Sequence, residues 1–350
     1  APEGGKALEY SMAIAFFEGG CQVTGRRPPW GILTGIRPVK LLRARYEAGE
    51  GEAALRRYFE EECRVSRRKT DLALATMRGE RAALERTGPG DYSLYISIPF
   101  CPSRCHFCSF VSHSIEKTHK LIEPYLDCLV RELAETARLA DAAGLRLRTV
   151  YFGGGTPSIL TPEQIRRLTG AVAQYFDLEG LWEYTFEAGR PDTIDGEKLA
   201  AVYEAGAGRI SINPQSLCDA VLQASGRKHT AAQTVEKYFL ARQFPFDSIN
   251  MDVIAGLPED TSARFAQTID QITVLAPENV TVHTLSVKRS SSFNMQGVEL
   301  YRRQIDEVAQ MVDYAQQKLT GSGYLPYYLY RQRNTLANLE NTGFARPGKE

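Results

Sequence analysis

Strand-like and helix-like hydrophobic patterns alternate along the chain between about residue 92 and residue 286. Short apolar stretches predict six strands, and each but the last is followed by a segment with helical periodicity. The predicted strands span 92–99, 148–152, 182–187, 209–213, 246–254 and 280–286. The predicted helices span 120–143, 161–176, 195–205, a region that runs to 242, and 261–275. This alternation is typical of an α/β protein with a parallel sheet, either a six-stranded open barrel or a doubly wound sheet.

Two segments of different character flank this core, which we place at residues 91–290. Residues 1–90 are mostly helical from Pro38 to Arg86, and Thr87-Gly88-Pro89-Gly90 ends the helical pattern. Between residues 26 and 86 there are 15 Lys and Arg against 9 Asp and Glu, a net charge of +6. Residues 291–350 contain one predicted helix over 300–319 and a tail with no clear pattern. The chain begins without an initiator methionine and ends without an obvious final element, so we expect it to be part of a longer protein.

Composition excludes several classes of protein. Of the 350 residues, 43% are hydrophobic and 24% charged, which argues against a disordered or fibrous chain. The 42 Lys and Arg balance 42 Asp and Glu, so nothing in the overall charge suggests a nucleic acid partner. No apolar run is long enough for a transmembrane helix, so we expect no membrane insertion.

Three of the seven cysteines lie close together, directly after the first predicted strand: Cys101, Cys105 and Cys108. An odd number of cysteines makes a poor disulfide framework, which favours a reducing compartment such as the cytoplasm. Active sites of parallel α/β folds gather at the carboxyl ends of strands. Three thiolates on so short a loop fit an iron–sulfur cluster with one open iron, or a zinc site completed by His106 or His113. The spacing alone does not separate the two.

The surrounding sequence resembles the signature of the radical S-adenosylmethionine (SAM) superfamily, and more narrowly its coproporphyrinogen III dehydrogenase-like branch. The matching stretch reads Tyr95-Ile-Ser-Ile-Pro-Phe-Cys101-Pro-Ser-Arg-Cys105-His-Phe-Cys108. The resemblance implies that the three cysteines hold a 4Fe-4S cluster whose open iron binds SAM. It also implies that a 5′-deoxyadenosyl radical abstracts hydrogen from the substrate. The implied fold is a partial six-stranded (β/α)6 barrel with a helical N-terminal segment and an α-rich C-terminal extension.

Residues at the ends of the later strands extend the resemblance. Read alone, Gly153-Gly154-Gly155 is a tight turn or a close approach to a ligand, and Glu187 is a solvated or capping carboxylate. The resemblance implies that one or two SAM molecules contact Tyr95, Phe107, Gly154, Gly155, Thr156, Glu187, Gln215, Arg227, Asp252 and Ser286. An arginine suits a carboxylate through bidentate pairing.

Two further stretches, 30–40 and 327–343, resemble the HemZ-type subgroup of this branch, whose members are longer at both ends. The subgroup implies oxidative decarboxylation of propionates to vinyls on a tetrapyrrole, with an electron donor such as flavodoxin or ferredoxin. Phe110, however, stands where the established dehydrogenase has a further cysteine. Three rivals stay open: a radical SAM methyltransferase or haem-opening enzyme, a haem chaperone of the same branch, and a zinc-binding interaction module.

Four cations are candidates for holding the carboxylates of such a substrate, against an ordinary solvated surface: Arg37, Lys40, Lys288 and Arg289. His106 and His113 are expected to be surface residues of the loop rather than part of the site. Cys21, Cys63, Cys128 and Cys218 are expected to be small buried residues.

Overall fold

A computed structural model describes residues 5–286, 305–332 and 334–350. It contains all six predicted strands, which confirms the α/β class. The strands are β1 (Asp91–Ile98), β2 (Phe100–Cys101), β3 (His113–Ser114), β4 (Arg146–Gly154), β5 (Glu183–Gly189), β6 (Arg209–Ile212), β7 (Ser248–Ala255), β8 (Asn279–Thr284), β9 (Leu325–Arg331) and β10 (Glu340–Ala345).

The main sheet has the order β1-β4-β5-β6-β7-β8-β10-β9. Neighbours from β1 to β8 are parallel, as the alternation of strands and helices predicted. Because β1 and β9 lie at opposite edges and do not pair, the sheet forms a partial barrel rather than a closed one. The short strands β2 and β3 pair in parallel beside it and frame the cysteine loop.

Helices join the parallel strands and cover the sheet. They are α1 (Gly5–Thr24), α2 (Val39–Glu47), α3 (Glu52–Arg57), α4 (Arg67–Arg86), α5 (Ile115–Thr118), α6 (Ile122–Ala142), α7 (Pro162–Tyr175), α8 (Gly196–Glu204), α9 (Asp219–Ala224), α10 (Ala231–Ala241), α11 (Ser262–Leu275) and α12 (Ile305–Gly321). Thr161 and Gln164 form a capping box at the start of α7. The hydrophobic pattern did not predict α1, a helix with large exposed apolar side chains such as Phe16 and Val23.

The C-terminal extension holds β9 and β10 as well as the predicted helix, so it is less helical than expected. Both strands are antiparallel, with β10 placed between β8 and β9. Every residue of β10 is buried although its sequence, Glu-Asn-Thr-Gly-Phe-Ala, is largely polar. A strand covered on both faces shows no alternation, and its polar residues conceal it from hydrophobicity.

Two groups of buried apolar side chains stabilise the molecule. The larger lies between the sheet and its helices and includes Ile96, Phe152 and Val253. The smaller lies within the N-terminal segment around Trp30 and Phe59, and Leu329 of β9 belongs to it. Leu329 therefore joins the N-terminal segment to the edge of the sheet.

A buried ion pair makes the same connection. Lys69 Nζ lies 2.6 Å from Glu340 Oε1, and both side chains are almost completely buried. Trp30 Nε1 donates a hydrogen bond of 2.7 Å to the other carboxylate oxygen of Glu340. Burial opposes ionisation of Glu340, but the Lys69 cation and the hydrogen bonds together lower its pKa.

The four isolated cysteines are not all buried as expected. Cys63 is buried and Cys21 and Cys218 are half-buried, but Cys128 is exposed. Cys128 lies on the solvent side of α6, where Arg131 Nη2 is 3.2 Å from its sulfur. None of the described helices is long and apolar enough to cross a membrane.

Candidate functional site

A cavity of about 960 Å³ lies within the curve of the sheet, bounded by the cysteine loop and by the N-terminal segment. All thirteen residues predicted for the site line this cavity. They are Tyr95, Cys101, Cys105, Phe107, Cys108, Gly154, Gly155, Thr156, Glu187, Gln215, Arg227, Asp252 and Ser286. The sequence motifs, spread over nearly 200 positions, are thus brought to one place.

The cysteine loop is held against the end of α9. The backbone N–H of His106 donates to Ser225 O at 3.0 Å, and His106 Nδ1 lies 3.1 Å from Ala224 O. This ring nitrogen therefore faces the backbone of α9, and His113 lies exposed in β3. As expected, neither histidine lines the cavity.

The three cysteines are close enough to interact electrostatically, which affects the pKa of Cys108. Burial raises the pKa of Cys108, and the Cys105 and Cys101 thiols raise it further. Within the described residues, no three His, Cys, Asp or Glu side chains converge around a single metal ion. A cluster does not require such convergence, because each of its cysteines binds a different iron. The donor set itself, three thiols on one loop beside a large cavity, suits an iron–sulfur cluster.

The glycines after β4 allow that strand to lie against the cysteine strand. A Cβ on Gly155 would lie 2.6 Å from Phe100 O and 3.0 Å from Cys101 Sγ. Gly154 has φ +105°, which a residue with a side chain rarely adopts. Thr156 Oγ1 lies 3.4 Å from Cys101 Sγ. Close packing against the loop therefore requires these glycines. The sequence alone did not decide whether they form a tight turn or allow a ligand to approach the backbone.

A row of buried polar atoms faces the cavity without a hydrogen-bond partner among the described residues. They are Ser211 Oγ, Asn213 Oδ1, Gln215 Oε1, Arg227 Nε and Arg227 Nη1. Gln215 has φ +65°, an uncommon conformation for a residue with a side chain. Buried polar atoms are nearly always paired, so this row fits a polar ligand with both donors and acceptors. Ser211 and Asn213 were not predicted.

Two carboxyl groups of the cavity differ in charge. Burial raises the pKa of Glu187 to about 7, with a smaller contribution from the Asp252 carboxylate, while a hydrogen bond from the Tyr151 hydroxyl opposes the shift. Burial would also raise the pKa of Asp252, but the nearby His283 and the hydrogen bond from Asn250 lower it overall. Near neutral pH, Asp252 is thus a carboxylate and Glu187 is poised between its two forms.

Arg190 is a residue of the site that the sequence did not indicate. It is buried at the end of β5 and pairs with Asp192 at 2.7 Å. Its Nη1 donates to Ser103 O and Ser103 Oγ, both at 3.1 Å, and lies 3.8 Å from Cys105 Sγ. Arg190 thus fixes the cysteine loop and places a positive charge beside it.

Comparison with known proteins identifies the family to which the residues of this site belong. Residues 95–272 match the family model described as the radical SAM superfamily. The oxygen-independent coproporphyrinogen-III oxidase-like protein HemZ of Bacillus subtilis (strain 168) is 39% identical over 331 residues, 93% of this chain and 66% of that protein. The heme chaperone HemW of the same organism is 30% identical over 261 residues, 74% of this chain and 64% of HemW.

A solved structure agrees with these relatives. The coproporphyrinogen III oxidase HemN from Escherichia coli, described as a radical SAM enzyme, matches with a TM-score of 0.62 and 27% identity. The match covers 76% of this chain and 58% of HemN. The chain thus spans between 58% and 66% of the length of these three proteins.

Proposed function

Because the chain belongs to the radical SAM superfamily, we propose that it is an enzyme that converts propionate side chains of a tetrapyrrole into vinyl groups. The cofactors are those of the superfamily, a 4Fe-4S cluster and SAM. The observation that carries the proposal is the single cavity shared by the cysteine loop, the unpaired polar row and the N-terminal segment. The HemZ relative, whose similarity covers both flanking segments, supports this substrate class.

Each part of the cavity has a task in this proposal. Cys101, Cys105 and Cys108 would hold the cluster, which with SAM supplies a radical that removes a hydrogen atom from the substrate. Arg227 and Gln215 would bind and orient the carboxylate and polar groups of SAM. Glu187 would bind a cationic group of SAM when ionised, with Tyr151 fixing its carboxyl group. The buried walls exclude water from the reacting groups.

The reaction balances for each propionate as the loss of carbon dioxide, one hydrogen atom and one electron. The hydrogen atom would go to the 5′-deoxyadenosyl radical, giving 5′-deoxyadenosine, and the electron would go to an external one-electron acceptor. An external donor such as flavodoxin or ferredoxin would reduce the cluster. The free state of all seven cysteines fits a reducing compartment, and we propose the cytoplasm.

A haem chaperone is the second candidate, because HemW is 30% identical to this chain. The alignment with HemW covers 74% of the chain and that with HemZ 93%, which favours the enzyme. A chaperone would bind haem tightly without SAM turnover, whereas an enzyme would release 5′-deoxyadenosine.

The decisive experiment is anaerobic incubation of the reconstituted protein with SAM, a reductant and coproporphyrinogen III, with the products identified by mass. We expect 5′-deoxyadenosine and the loss of carbon dioxide from the substrate, and neither product with the Cys105→Ala variant. Full cluster content and deoxyadenosine formation in that variant would refute the cluster assignment. An unchanged substrate mass with the wild-type protein would refute the decarboxylation.

A further inference from the structure

We propose that Arg37 and Lys40 form a cationic wall of the cavity that binds carboxylates at the edge of the substrate. The inference rests on the proposed function and adds to it how this chain recognises its substrate. Both side chains are exposed and both line the cavity that holds the three cysteines. They come from the N-terminal segment, outside the region that matches the superfamily.

The cationic wall lies beside a third cation, Arg43, which is paired. Arg43, on the same side of the cavity, is neutralised by Glu80 at 3.2 Å. Arg37 and Lys40 make no ion pair with any described residue. The charges of Arg37, Lys40 and Arg43 all oppose the rise that burial causes in the pKa of Glu80. Three cations on this side of the cavity therefore share one lining carboxylate, which leaves a net positive charge there.

Large apolar side chains are exposed in the same cavity. Phe110 is 67% exposed, Tyr95 59% and Tyr328 39%. Exposed aromatic rings in a cavity indicate a ligand with an extended apolar surface, because such surface is normally buried. Rings together with unpaired cations therefore select a broad apolar body with carboxylates at its edge, which is the chemistry of a propionate-bearing tetrapyrrole.

The segment that carries the cationic wall is held in position by β9. Arg331 of β9 donates its backbone N–H to Ile36 O at 2.7 Å and its Nη1 to Leu33 O at 2.6 Å. The Arg331 guanidinium also lies over the ring of Trp30, 5.4 Å from its centroid. The backbone that leads into Arg37 is thus fixed to the sheet, which reduces the ordering cost of binding. Lys288 and Arg289, the other cations considered from the sequence, lie outside the described residues.

The test measures equilibrium binding of two porphyrins by fluorescence quenching to the reconstituted protein. Coproporphyrin III has four carboxylates and mesoporphyrin IX has two. We expect the Arg37→Gln/Lys40→Gln variant to bind coproporphyrin III about tenfold more weakly, since two charge-assisted contacts are lost in a partly solvated site. The loss should be smaller for mesoporphyrin IX, and added salt should weaken the wild type more than the variant.

The matched control is Arg57→Gln/Arg67→Gln. It removes two exposed cations from the same segment that do not line the cavity and make no ion pair with a described residue. This control should bind both porphyrins within about twofold of the wild type, because distant surface charges are screened. Iron and sulfide content shows whether each variant folds and takes up its cluster.

The outcomes separate the inference from the proposed function. Equal binding by the wall variant and the wild type, or equal weakening in the wall variant and the control, overturns the cationic wall even where the vinyl product is formed. Selective weakening without any vinyl product supports the wall and refutes decarboxylation. A wild type that binds neither porphyrin overturns both.

Discussion

At the scale of single residues, the cavity shifts the pKa values of two carboxyl groups in opposite directions. Asp252 accepts hydrogen bonds from Asn250 Nδ2 at 2.8 Å and faces His283 Nε2 at 3.7 Å, so its charged form is favoured. Glu187 has the Tyr151 hydroxyl as its hydrogen-bond donor and is otherwise buried, so its neutral form persists to about pH 7. A ligand with a positive charge next to Glu187 must displace that proton.

SAM affinity should therefore depend on pH through Glu187. Because SAM carries a sulfonium cation, we expect its affinity to rise with pH until Glu187 ionises near pH 7, by up to about tenfold per pH unit below that point. Anaerobic calorimetry from about pH 6 to about pH 8 would measure this. Glu187→Gln should remove this dependence and leave only that of SAM itself. Parallel pH curves for the two proteins would contradict the role of Glu187.

The residues of the site differ in how far the sequence could reveal them. Thirteen could be named because each matches a position in a motif that resembles those of the superfamily, and most lie near the end of a strand. Tyr151 and Arg190 could not be named, because their contacts with Glu187 and with the cysteine loop join residues that are distant in sequence. Asn213 and Ser211 lie beside the motif residue Gln215, but polar residues at alternate positions of a strand are common. Their unpaired buried oxygens appear only in the structure.

At the scale of elements, the fold depends on how the cysteine loop is fixed to three neighbours. The loop contacts Gly155 and Thr156 just after β4, the end of α9 through His106, and Arg190 just after β5. The six parallel strands were predictable from alternating hydrophobic segments. The strand β10 was not, because its polar side chains are satisfied by residues distant in sequence, such as Lys69.

Arg190 should tune the cluster that this loop holds. Hydrogen bonds and positive charge near cluster sulfurs raise the reduction potential. We expect Arg190→Gln to lower the midpoint potential by about 50–100 mV, from the loss of one charge-assisted hydrogen bond. Potentiometric titration followed by EPR measures this shift.

Two variants serve as controls for Arg190. Arg190→Lys keeps the charge and should restore part of the potential. Arg166→Gln removes an exposed arginine that pairs with Glu204 away from the loop, and should leave the potential unchanged. A lower cluster content with an unshifted potential would show that Arg190 only stabilises the loop.

At the scale of the whole molecule, the N-terminal segment and the C-terminal strands form one support behind the cavity. Lys69 of α4 pairs with Glu340 of β10, and Trp30 donates to the same carboxylate. A Cβ on Gly79 would lie 2.4 Å from Pro326 O, so α4 lies directly against β9. The division into segments 1–90, 91–290 and 291–350 stays a prediction, but the outer two are in close contact.

Removing the buried cation should destabilise the protein strongly. We expect Lys69→Met to lower the free energy of unfolding by about 3–5 kcal/mol, because Glu340 is left buried without its partner. Urea denaturation measures this loss, and Arg138→Met, which breaks the exposed pair with Glu135, should have little effect.

The ion pair between Lys69 and Glu340 determines how the stability of the protein changes with pH. Because the pKa of Glu340 is lowered on folding, its contribution is complete above the unfolded value of 4.5 and is lost as pH falls through the lower folded value. Lys69→Met should reduce the difference in stability between neutral and acidic pH. A variant as stable as the wild type at every pH would contradict this account.

The bond between Trp30 and Glu340 also bears on how the protein is made. These residues are 310 positions apart, so the contact forms only after nearly all of the described chain has left the ribosome. The cysteine loop and its neighbours β4 and β5 are synthesised much earlier. The backbone that leads into Arg37 is fixed by Arg331 of β9, which is also synthesised late. We expect this order of synthesis to leave the cysteine loop accessible to cluster assembly before the cationic wall is fixed in place.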